Sequence, residues 1–326
     1  MMRSHGLLDS GRLDDAQGLL DGPVIRSSYP MEGVRALYAW VRLYHLRGDS
    51  ALALSHDRRR MELVRQVASL PNSDEAQLHV EVLIAAGCEK EAWDLGREFV
   101  AAFESSDAAG AVADMAQVSY LVLGIGRRLG LPPDVELEGR AASLLKRAEG
   151  LVEDATARTW TGMSIGVAKA LRADLEGDPS AALWRSAYTA AGGIGAAIAL
   201  PIRIQLLTAL LSEGDRDEVR TALPEVVADA KAMGMNGVLE EALRLGRRHR
   251  IPVPGDDRPS KLDILTARER EVLDVLATGA TNKAIAERLF ISEKTVSVHV
   301  TNLLAKLGVT NRTEAAAVAR DLAVVE

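Results

Sequence analysis

Five times in this chain a glycine is followed by a short polar turn and, five positions on, by a small apolar residue. The copies begin at Gly11, Gly48, Gly87, Gly177 and Gly214, separated by 37, 39, 90 and 37 residues. Glycine at such a position ends one helix in a left-handed cap, the polar residues open the next helix, and the small residue lets the two helices pack closely. The long gap predicts one degenerate copy between Gly87 and Gly177.

Helix pairs recurring with a period of roughly 34–45 residues point to a tetratricopeptide-like solenoid, which is the fold expected of residues 1–249. Chance recurrence in an Ala- and Gly-rich helical chain is the alternative. Composition supports helix: 48% of the residues are hydrophobic but only 4% aromatic, so the cores must be aliphatic. A chain of 326 residues is long enough for two or three domains. The single cysteine, Cys88, excludes an internal disulfide framework and fits a reducing cytoplasm. It reads either as a small residue near a helix start or as a sensing thiol, and nothing around it marks an activated thiolate. The most apolar stretch, residues 190–211, is interrupted by Pro201, Arg203 and Gln205, so a buried helix is expected there rather than a membrane span.

Residues 250–261 break the helical pattern. Pro252, Pro254, Gly255 and Pro259 cannot continue a helix, so this segment is read as a linker. Beyond it lie residues 262–326. The net charge of −7 speaks against a nucleic-acid binder at face value. Within residues 281–312, however, Lys283, Arg288, Lys294, Lys306 and Arg312 face only Glu287 and Glu293, and a DNA binder needs a local positive face rather than a basic chain.

The tail reads as three or four short helices. Thr266 and Glu269 form a capping box ahead of Val272, Leu273, Val275 and Leu276, and Gly279 ends that helix. A second helix follows Thr281, with Ala284, Ile285 and Leu289 on one side. Ser292 is suited to cap a third. At about 100° per residue, Val296, Val300, Leu303 and Leu307 form the core stripe of this third helix, with Leu304 at its edge. Lys294, Val298, Thr301, Asn302 and Ala305 take the opposite side, flanked by Thr295 and Ser297. Such a face is short, polar and nearly free of acid, which suits a helix entering the major groove, and it also suits the outer face of an ordinary three-helix bundle. His299 lies between the faces, open to packing or to a phosphate contact.

The pattern Thr266-x-Arg268-Glu269-x-Glu271-Val272-Leu273, Gly279, Asn282-Lys283-x-Ile285-Ala286, Leu289-x-Ile291-Ser292-x-x-Thr295-Val296-x-x-His299-Val300-x-Asn302-x-Leu304-x-Lys306-Leu307 and Arg312-x-x-Ala315 resembles the LuxR-type helix-turn-helix. That resemblance implies a third helix reading the major groove of double-stranded DNA and a fourth, here residues 313–322, assisting a homodimer on DNA. By position it implies Lys283, Lys294, Thr295, Asn302 and Lys306 as phosphate and groove contacts, Ser297, Val298 and Thr301 as base readers, and Asn282 and Ser292 as further DNA-binding residues. Many relatives carry a basic residue where Ser297 stands, which implies a modest affinity. Residues 168–250 resemble the tail of the large ATP-binding, MalT-like LuxR regulators, which place an ATPase module ahead of their helical repeats. No G-x-x-x-x-G-K-[ST] occurs in this chain, so neither that module nor a cofactor is expected.

The expectation is therefore an all-α transcriptional regulator: a repeat body that senses a protein or small ligand, a linker, and a dimerising DNA-binding tail at 262–326. The competing reading is an interaction scaffold with an auxiliary helical tail. No paired carboxylates, metal cluster or nucleophile–base arrangement stands out, so an enzyme is not expected. No membrane partner is expected either.

Overall fold

The computed structural model describes residues 2–21, 30–67, 71–152, 160–254, 265–307, 309, 311–312 and 314–316. Among these residues the elements are helical: α1 (Met2–Asp9), α2 (Leu13–Leu20), α3 (Pro30–Arg47), α4 (Ser50–Val67), α5 (Ser73–Ala85), α6 (Glu89–Ala102), α7 (Ala109–Arg128) and α8 (Val135–Leu151). They continue with α9 (Trp160–Glu176), α10 (Ala181–Gly192), α11 (Ala196–Ser212), α12 (Arg216–Met233), α13 (Asn236–Arg248), α14 (Ala267–Ala277), α15 (Asn282–Leu289) and α16 (Glu293–Leu307). The chain divides into two compact units, Met1–Ala242 and Leu243–Glu326, with the division inside α13. Residues 255–261 of the expected linker lie outside the described residues.

The five repeat glycines all adopt the left-handed conformation, with φ between 75° and 86°. The copy hidden in the long gap is at Gly130, whose φ is 66°. In all six cases the amide after the glycine donates to the carbonyl five residues earlier, as in Asp49 N to Tyr44 O at 2.9 Å and Leu131 N to Gly126 O at 2.9 Å. Each glycine thus closes the first helix of a hairpin and satisfies a carbonyl that the helix end leaves open. The small residue then buries fully at Ala16, Ala53, Ala92 and Val219. The fourth copy departs from the pattern, because its buried residue is Ala181 while Ala182 is exposed. At Gly130 the polar turn is replaced by Leu131-Pro132-Pro133, which delays the start of α8 to Val135 and hides the repeat.

Within the first unit, α1, α3, α5, α7 and α9 pack on one another in succession. The core centres on α7, where Val112, Met115, Val118, Val122 and Ile125 are inaccessible to solvent. By length and composition α7 could cross a membrane, but it sits against α5, α6, α8 and α9 and is largely buried. The apolar stretch at residues 190–211 is split at Gly193–Gly195 into the end of α10 and a buried α11, which accommodates Pro201 in its interior.

Polar groups also hold this unit together. Asp57 on α4 is buried and accepts hydrogen bonds from Arg60 Nε at 3.0 Å and Nη2 at 2.6 Å, while its other oxygen pairs with His79 Nδ1 on α5. Burial pushes the Asp57 carboxyl up, but the His79 hydrogen bond and the Arg60 charge outweigh it and hold it below the usual carboxylate range.

The two ends of the array meet. α1 touches α11, and Gly48, in the α3–α4 turn, lies against Gly237 at the start of α13 so closely that a Cβ on Gly48 would stand 2.7 Å from the Gly237 Cα. A Cβ on Gly195 would stand 2.6 Å from the Asp9 carbonyl carbon, and one on Gly11 2.8 Å from Met233 Cγ. Arg42 on α3 reinforces the closure by pairing with Asp9 of α1 at 2.6 Å and lying over the Trp160 ring of α9.

Candidate nucleic-acid interface

The second unit builds its site from three short helices, each set by the residue before it. Thr266 caps α14 by accepting from Glu269 N at 3.3 Å, while the Glu269 carboxylate accepts from Thr266 N at 2.7 Å. Thr281 caps α15 through Ala284 N at 3.3 Å, and Ser292 caps α16 through Thr295 N at 3.1 Å. The turn between α15 and α16 passes through Phe290, a non-glycine residue in the left-handed region at φ 54°, with its ring 94% exposed.

These caps fix which face of α16 turns inward. Val296, Leu303 and Leu307 are fully buried with Val272, Leu273, Leu276 and Ile285, while Val300 and Leu304 are partly buried against them. This is the expected core stripe. On α15 the buried pair is Ile285 and Ala286, with Leu289 partly buried. Ala284, expected on the buried side, is exposed.

The opposite face of α16 presents Lys294, Thr295, Ser297, Val298, Thr301, Asn302 and Ala305 to solvent. Val298 is 54% exposed, a methyl-rich patch in the middle of a polar surface. Lys283 on α15 and Ser292 at the α16 cap are exposed nearby. Two of the candidate residues are tied to each other: Asn282 Nδ2 donates to Ser297 Oγ at 3.2 Å, joining α15 to the exposed side of α16. Asn282 Oδ1 is buried and makes no hydrogen bond of its own among the described residues.

Lys306 behaves differently from the other cations. Its Nζ lies 2.7 Å from the Glu269 carboxylate, so a single glutamate caps α14 and also pins the last turn of α16. The Lys306 hydrogen bond, followed by those from Thr266, lowers the Glu269 carboxyl to about 2. Nothing in the local sequence pairs Glu269 with a residue so distant in the chain. Arg312 also has a partner, its guanidinium donating to Ala280 O at 2.5 Å, and Arg268 donates to Leu289 O at 2.6 Å. Lys283, Arg288 and Lys294 are exposed cations of this unit, and Lys306 and Arg312 remain exposed as well although each has a partner. Of the expected fourth helix, residues 314–316 are helical, and residues 313 and 317–322 lie outside the described residues.

Residues 263–319 match the family of bacterial regulatory proteins of luxR type. The same region is similar to the transcriptional regulatory protein LiaR of Bacillus subtilis, 58% identical over 52 residues, which are 16% of this chain and 25% of that one. It is similar to the DNA-binding transcriptional activator DevR/DosR of Mycobacterium tuberculosis, 48% identical over 66 residues, or 20% and 30% of the two chains. It is also similar to the nitrate/nitrite response regulator protein NarP of Escherichia coli, 43% identical over 94 residues, or 28% and 43%. The chain thus spans less than half the length of each of these relatives. No solved structure matches it. Capped helices, a buried stripe, an exposed small-residue face and the family match coincide on the same residues, and this C-terminal segment is a helix-turn-helix domain of the luxR family of bacterial regulatory proteins.

Proposed function

We propose that the protein is a sequence-specific DNA-binding transcriptional regulator acting in the cytoplasm as a dimer on DNA. Residues 1–249 form a tetratricopeptide-like sensing body, 250–261 the linker and 262–326 the DNA-binding domain. The observation that carries the reading is the two-sidedness of α16: an apolar stripe packed into the core on one side, and on the other an acid-poor row of short side chains. A helix of that kind fits the major groove, where short side chains allow close approach and a valine methyl can meet a thymine methyl.

Roles divide by position. Lys283 and Lys294 contact phosphate, with Ser292, Thr295 and Asn302 at the groove edge. Ser297, Val298 and Thr301 read bases, and Asn282 holds the Ser297 hydroxyl in place. Lys306 pairs with Glu269, which helps to fix the tilt of α16, and its exposed ammonium is a further phosphate contact.

Binding of the full chain to its genomic sites, recovered by immunoprecipitation, tests the reading across a range of salt concentrations. The affinity should fall linearly on a logarithmic salt scale, and Lys294→Ala should reduce that slope by about one. Val298→Ala and Thr301→Ala should instead relax the choice of sequence while leaving the slope unchanged. Binding without sequence preference and without salt dependence would remove the regulator reading.

A further inference from the structure

A cavity of about 330 Å³ opens between the first half of α6, α7, the α7–α8 turn, α8 and α9. Its origin is local. Gly126 has no side chain, and a Cβ there would stand 2.8 Å from Trp93 Cη2, so the indole can approach the α7 backbone closely. Pro132 and Pro133 then hold the chain away from the helices before α8 can begin. The floor is apolar and aromatic, with Trp93 and Tyr120 almost wholly buried. A void of this size in a closely packed body is large enough for a small organic molecule.

The charges around the mouth decide what kind of molecule. Arg127 donates to the neutral Leu175 carbonyl, which fixes its guanidinium at the end of α9 while leaving its charge in place. Arg172 pairs with Glu176 at 2.8 Å. Asp134 pairs with Arg97 at 2.8 Å and caps α8 through Leu137 N at 3.0 Å. Among the lining carboxylates Glu138 stands out: its side chain has no ion-pair or hydrogen-bond partner among the described residues. Its carboxylate stands at the edge of an aromatic floor, a placement that favours a cation attached to an apolar body.

We propose that this cleft binds a small organic amine, with its aromatic or branched aliphatic part over Trp93 and Tyr120 and its ammonium group against Glu138. The proposal deepens the sensing role given to the body and rests on that reading only for its effect on DNA binding. Occupancy would bridge α7, α8 and α9, the joint that Arg127 already clamps at the end of α9.

Calorimetric titration of the full chain with 2-phenylethylamine, 2-phenylethanol and 3-phenylpropanoate tests it. The amine should bind saturably at one site, with the alcohol and the carboxylate weaker by at least about fivefold. Glu138→Gln should abolish the preference for amine over alcohol, and Ala142→Phe should fill the cleft and abolish binding. Both positions are exposed, so thermal melts of the variants should match the parent. Absence of saturable amine binding, equal binding of the three probes, or a preference that survives Glu138→Gln would overturn the proposal. DNA affinity measured with and without the amine separates the two readings: a bound amine that leaves it unchanged supports the cleft and removes its role in sensing.

Discussion

At the scale of single residues, the body depends on a few polar side chains that composition alone could not flag. Arg60 is fully buried, and its Nη1 has no hydrogen-bond partner among the described residues, with the Glu75 carboxylate 3.9 Å away. Its charge is therefore balanced chiefly by Asp57. Removing one partner of a buried pair leaves an uncompensated charge, so Asp57→Ala should destabilise the body by about 3–5 kcal/mol. Replacing both, as in Asp57→Leu with Arg60→Met, should cost much less. All four tryptophans (Trp40, Trp93, Trp160 and Trp184) lie in the first unit, so urea unfolding followed by their fluorescence reads this unit alone. Asp57, Arg60 and His79 could be named from the sequence but not connected, because their contact requires α4 and α5 to be folded and packed.

Among the elements, α14 and α16 share one carboxylate, and this makes their packing sensitive to acid. The Glu269 carboxyl titrates lower in the folded protein, at about 2, than its ordinary value of 4.5. A carboxyl depressed by folding stabilises the folded state fully above its unfolded value, and that contribution fades as pH falls from 4.5 toward 2. Glu269→Gln should therefore weaken the second unit most at neutral pH, by about 1–2 kcal/mol, and the difference from the parent should vanish near the acid limit. Far-UV circular dichroism melts across pH, together with the carboxyl NMR titration of Glu269, check both statements.

Element boundaries in the tail were legible because each is local. Thr266, Thr281 and Ser292 are caps by residue type, and the stripe of Val296, Leu303 and Leu307 follows from helical periodicity. The pairing of Lys306 with Glu269 was not legible, since it requires α14 to be placed beside the last turn of α16. The hairpin glycines were legible for the same local reason, as was the need for a missing copy. Its position at Gly130 was masked by the two prolines that replace the polar turn.

For the molecule as a whole, the first unit offers its own control for the closeness of its ends. Gly87 and Gly48 have almost the same backbone conformation, at φ 75° and 76°, but nothing lies within 4 Å of a Cβ built on Gly87. Gly87→Ala should cost only the strain of a left-handed alanine, about 1–2 kcal/mol. Gly48→Ala should cost that and a further 1–3 kcal/mol or so from the clash with Gly237, since overpacking against backbone is not easily relieved. Tryptophan-detected urea unfolding of the two variants makes the comparison.

The meeting of Gly48 with Gly237 also bears on how the protein is made. An open helical array can fold hairpin by hairpin as it leaves the ribosome, each pair resting on the one before. Here the α3–α4 turn finds its neighbour only when the start of α13 has been synthesised, so the earlier hairpins wait with one flank uncovered until then. Joining the two ends is the most non-local step in the body and so the slow one, because the chain between them must be ordered first. The DNA-binding domain follows α13 in the chain. A ribosome that has finished it has therefore already released everything the body needs to close.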